Sequence, residues 1–115
     1  MVDFTIDEES IYFSEFADLS IQRITTDGGA PALVATDVAA WVLANDNDRI
    51  YWLDLDPNNL GVSMISKVPG TVPSDVLDLD LFMEWDPFLA FEALYVDASG
   101  IYFTETTTGS VYLIF

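Results

Sequence analysis

Three times the chain places an Ile-Tyr-aromatic run just before an acid. Ile11-Tyr12-Phe13 precedes Glu15, Ile50-Tyr51-Trp52 precedes Asp54, and Ile101-Tyr102-Phe103 precedes Glu105. A β-branched residue followed by two aromatic ones suits a strand. Recurrence at 39 and 51 residues points to one supersecondary unit copied along the chain, a constraint stronger than any single element. Each copy has the same surroundings: an apolar segment (Phe4–Ile6, Trp41–Leu43, Leu94–Val96), a turn ("DEES", "NDND", "DASG"), then the motif strand. Turn residues between β-branched and aromatic runs signal a hairpin. Third strands are predicted at 20–24, 63–68 and 110–115, which makes the connection "LDPNNLG" four residues longer than its counterparts.

In the first unit Asp27-Gly28-Gly29 provides the positive φ of a tight turn, and residues 32–36 form a fourth strand. Ser74-Asp75 could cap a short helix, but residues 76–81 alternate apolar and acidic positions and read in preference as a strand. Repeats of 40–50 residues carrying four strands are the size of propeller blades. The fold predicted is all-β: one domain over 1–115, a partial β-propeller of about three four-stranded antiparallel blades (about 3–37, 38–87 and 88–115), the last incomplete. Blades stack face to face, so the motif strands need no strict alternation, and each large ring can bury about 150–250 Å². Each motif tyrosine has an acid two or three residues further on as a nearby partner for its hydroxyl.

Charge narrows the function. The 115 residues hold 20 acids against Arg23, Arg49 and Lys67, a formal net charge of −17. Such a surface repels phosphate backbones and anionic headgroups, so nucleic-acid and membrane-surface roles are not expected. It favours solubility, cations, basic partners or a salty medium that screens self-repulsion. Hydrophobic residues at 51% set the chain apart from a disordered acidic tail. With no Cys and no His, disulfide frameworks, thiolate and imidazole metal sites, Cys nucleophiles and Ser-His-Asp chemistry are all excluded within this chain. The acidic first ten residues lack a basic start and an apolar run, so no signal peptide is expected, and no apolar stretch approaches the about 20 residues of a membrane helix.

At these residues the chain resembles the six-bladed YWTD propellers of lipoprotein-receptor ectodomains and TolB-like bacterial repeats. Tyr51-Trp52-Leu53-Asp54 matches the YWTD tetrapeptide with Leu53 for Thr, while Tyr12-Phe13-Ser14-Glu15 and Tyr102-Phe103-Thr104-Glu105 match it more loosely. Residues 11–29 look like a repeat core, and the resemblance spans most of the chain outside 69–92. It implies an extracellular or periplasmic setting and a ring of six blades, twice the number found here. Two chains of three blades would make such a ring. Fold likeness fixes no activity, because propellers host receptors, lactonases and scaffolds alike.

Catalytic residues do not stand out, and paired carboxylates cannot be picked from so many acids. Asp54, Asp56 and Asn58, at i, i+2 and i+4, are the candidate metal ligands, with calcium as the ion such a loop would take. Against this, Asn59 stands where a turn glycine is usual, Pro57 stiffens the loop, and no Glu follows at the twelfth position. The expected function is a structural or protein-interaction module without a cofactor, its partner another protein, further blades or a second copy. The alternative is part of a propeller enzyme, such as a calcium-dependent lactonase, with Asp3, Asp37 and Glu92 on loops entering the innermost strands.

Overall fold

The computed structural model describes residues 3–54, 61–78, 91–106 and 109–114. Among them the regular structure is all strand, in three antiparallel sheets. The first runs β1 (Phe4–Ile6), β2 (Ser10–Glu15), β3 (Ser20–Thr25) and β4 (Ala32–Thr36), in that order. The second repeats the meander with β5 (Ala40–Asn45), β6 (Arg49–Asp54), β7 (Gly61–Ser66) and β8 (Ser74–Asp78). The third has β9 (Phe91–Asp97), β10 (Gly100–Glu105) and β11 (Ser110–Ile114). The strand read over 76–81 begins two residues earlier, at Ser74, and is described to Asp78; residues 79–90 lie outside the described residues.

One local device starts every motif strand. Asp7 Oδ1 accepts the backbone N–H groups of Glu9 and Ser10, both at 2.8 Å, and Asp46 Oδ1 accepts those of Asp48 at 2.9 Å and Arg49 at 2.8 Å. Asp97 Oδ1 accepts the N–H of Ser99 at 2.8 Å. An aspartate that satisfies the N–H groups two and three residues on replaces the backbone bonds the turn gives up. The common pattern is thus Asp-x-x-x-Ile-Tyr, with the Asp four residues before the Ile. At the same end of the first two sheets Gly28 and Gly70 both adopt φ 84°, the left-handed conformation that lets β3 turn into β4 and β7 into β8.

Strand register corrects one sequence expectation. Glu15 pairs with Ser20, Glu105 with Ser110, and Asp54 with Gly61, so Gly61 begins the third strand of the second sheet. The connection over residues 55–60 is therefore two residues longer than 16–19 and 106–109, not four. Ser63 resembles the strand-opening serines but sits mid-strand opposite Trp52.

The sheets stack in chain order, with the opening strands side by side: β5 contacts both β1 and β9. Tyr12, Ile21, Ala35, Val38, Leu43, Ile50, Trp52 and Ile65 fill the first junction. Leu53, Val62 and Phe103 centre the second, with Val42, Leu94, Ile101 and Tyr112 packed around them. Double burial holds for the middle sheet alone. Ile50 through Asp54 are all buried, whereas β2 alternates buried and half-buried positions because one face of the first sheet is open.

Candidate interaction surfaces

Cross-strand register sorts the side chains of each sheet into two faces. On one, a strand-two isoleucine pairs with a strand-three isoleucine, and the strand-two aromatic stands two residues on. These sets are Ile11, Phe13, Ile24; Ile50, Trp52, Ile65; and Ile101, Phe103, Ile114. On the other, the motif tyrosine lies beside a strand-three aliphatic: Tyr12 with Ile21, Tyr51 with Val62, Tyr102 with Val111. Residues i and i+2 share a face of a strand, so each set forms one patch.

Both junctions use these faces in the same sense. The tyrosine face of the first sheet (Tyr12, Ile21) packs on the isoleucine face of the second (Ile50, Trp52, Ile65). The tyrosine-side residues Leu53 and Val62 of the second sheet pack on Phe103, with Ile101 and Ile114, of the third. Among the described residues two faces are left without a sheet. Ile21 and Val62 are 0 % exposed, whereas their counterpart Val111 is 68 % exposed. At the opposite end Phe4, Ile11, Phe13 and Ile24 line an open apolar depression of about 410 Å³, and Ile6 beside them is exposed. Contiguous apolar faces of this kind mark association surfaces in soluble proteins.

Polar contacts fix the first junction. Asp3 Oδ2 accepts the N–H of Leu43 at 2.8 Å, and Asn45 Nδ2 donates to Thr5 Oγ1 at 2.6 Å. Lys67 Nζ donates to Asp7 Oδ2 at 2.9 Å and to Asn45 Oδ1 at 3.1 Å, and stands 5.6 Å from the centre of the Tyr12 ring. Burial alone would raise the Asp7 carboxyl, but the Lys67 ammonium and the Glu9 and Ser10 N–H groups outweigh it and hold the carboxyl below 3.8. Next to this clamp an open cleft of about 570 Å³ is lined by Glu8, Glu9 and Arg23 of the first sheet and by Asn47 and Lys67 of the second.

Two of the three motif tyrosines find partners at the turns before them, and not at the acids that follow. Tyr51 donates its hydroxyl to Asp46 Oδ2 at 2.9 Å, and the Tyr102 hydroxyl lies 2.7 Å from Ser99 Oγ. Burial first and this bond second push the Tyr51 phenol upward. At Asp46 burial is overcome by the Asp48 N–H, the Tyr51 hydroxyl and the Arg49 N–H, so its carboxyl is lowered. These are turn-locking interactions, with no acid and base poised apart for proton transfer.

The sequence-predicted ligands do not form a described cluster. Asp54 ends β6 at 2 % exposure and is engaged in an interaction, while Asp56 and Asn58 lie outside the described residues. Among the described residues no three acids converge as a metal group. Asp3 is occupied by Leu43, Asp37 is exposed in a left-handed turn at φ 57°, and Glu92 belongs to β9 with its side chain outside the described residues. Sequence reasoning missed Val111 and Ile24 as surface residues, although their place opposite the motif strand was the available signal. No family model, curated protein or solved structure matches the chain.

Proposed function

We propose that the chain is a run of β-propeller blades of the YWTD or TolB-like kind, serving as a structural and protein-interaction module. The observation that carries this reading is the repeated junction: tyrosine face on isoleucine face, twice, with one unmatched face of each type left at the ends. Meandering sheets whose opening strands lie side by side are the arrangement from which blades radiate around an axis. What the open faces offer is apolar area on a strongly acidic chain, so the fitting partner is another apolar sheet face. Asp3, Asp7, Asp46 and Asp97 act in turns and junctions, which favours binding over chemistry.

Nile red, an uncharged dye that the chain's negative field does not repel, tests the reading. Bright emission with the monomeric protein, reduced by Val111→Arg and separately by Ile24→Arg, is the expected result. A folded monomer that leaves the dye dark would remove the basis for an interaction module. A second check is architectural: the cysteine pairs Thr5→Cys with Asn45→Cys, and Val42→Cys with Leu94→Cys, should each oxidise to an intrachain disulfide across one junction.

A further inference from the structure

We infer that the partner is a second copy of this chain, joined head to tail so that each copy's Val111 face covers the other's Ile11–Phe13–Ile24 face. The inference rests on the interaction-module reading and adds the identity of the occupant. Its ground is that the two open faces are the two halves of one interface, already made twice inside the chain. Val111 stands where Ile21 and Val62 are fully covered, and Ile24 stands where Ile65 is covered. Any copy of the chain therefore carries both the surface that needs covering and the surface that covers it.

The geometry of association follows. Unlike faces meet, so each contact is heterologous, and two such contacts between two copies close a two-fold ring in which no face remains open. A pair carries twice the −17 charge of one chain, and this repulsion opposes closure until salt screens it. Assembly should strengthen with ionic strength, the reverse of a contact made by opposite charges.

Light scattering after size exclusion tests this on the full chain, from about 0.01 M to about 1 M potassium chloride, where the screening length falls from about 30 Å to about 3 Å. The expected result is a twofold rise in mass together with loss of the Nile red signal. Val111→Arg alone and Ile24→Arg alone should stay at the monomer mass at every salt concentration, even though each lowers the net negative charge. Mixed one to one, they keep one intact face of each kind, enough for one of the two contacts, so part of the doubled mass should return. Circular dichroism checks that the variants fold; Leu113→Arg, on the Val111 face, replaces Val111→Arg if that does not, and Ile6→Arg, beside Ile11, replaces Ile24→Arg. A monomer that stays dye-bright at about 1 M salt overturns the second copy but leaves the open-face reading standing, whereas a dye-dark monomer brings down both. Mass that climbs without limit also overturns the closed pair.

Discussion

Lys67 of the second sheet reaches Asp7 of the first, Nζ to Oδ2 at 2.9 Å, across 60 residues of sequence. The side chains are only 15 % and 24 % exposed, so the pair is shielded from the solvent that makes surface bridges weak. Lys67→Met removes both donated bonds and leaves Asp7 and Asn45 Oδ1 without this donor. We expect a loss of about 2 kcal/mol, read as a lower midpoint in urea unfolding. Lys67→Arg should recover part of it.

Acid should act through the same aspartate. Its folded pKa lies below 3.8, so its contribution is complete above about pH 4 and disappears as pH falls through the lower folded value. Wild type should exceed Asp7→Asn in stability at neutral pH, and the gap should shrink steadily below pH 3.8. A gap that widens with acid would mean that burial, and not the ammonium, governs this carboxyl.

Trp52 is 0 % exposed, and its indole N–H has no acceptor among the described residues. The corresponding positions in the other sheets hold Phe13 and Phe103. Trp52→Phe loses volume but also removes a buried, unpaired donor, which offsets part of the packing loss. Thermal unfolding should show a change within about 1 kcal/mol, while Trp52→Ala should cost about 3–5 kcal/mol.

Gly100 and Gly28 both have positive φ but different surroundings. A Cβ on Gly28 meets open space, so Gly28→Ala should cost about 1 kcal/mol of backbone strain. On Gly100, at φ 149°, the added carbon runs into the Ile114 carbonyl oxygen and comes within 2.8 Å of Leu113 Cδ1. Gly100→Ala should therefore cost more than Gly28→Ala and loosen the β10–β11 pairing, seen as faster amide exchange at Ile114.

Calcium and magnesium chloride at equal ionic strength should raise the melting temperature equally, because Asp54 is buried and engaged where the loop leaves β6. A rise specific to calcium, abolished by Asp56→Asn, would restore the loop 54–58 as a cation site.

Much of the fold was legible because strand chemistry is local. Ile-Tyr-aromatic runs mark β2, β6 and β10, and the Gly28 turn followed by residues 32–36 matches β4. Register was harder. Ser63 imitates the strand-opening serines, and "NDND" begins one residue before the turn-locking Asp46, which hides the common Asp-x-x-x-Ile-Tyr spacing. The surfaces were less legible still. A middle-sheet strand such as β6 is buried on both sides, and the motif strands at either end carry the same residue types, so composition does not reveal which face lacks a neighbour. Long-range pairings such as Lys67 with Asp7, or Asp3 with the Leu43 N–H, leave no local trace at all.

Because every junction joins unlike faces in the same order, the stack has a polarity, as a row of identical tiles with a tongue on one edge and a groove on the other. Gene duplication or loss of a whole unit leaves the tongue and groove at the extremities as they were. Copy number can thus drift in evolution with no new surface to invent, whereas an insertion of half a unit would interrupt the series where it fell.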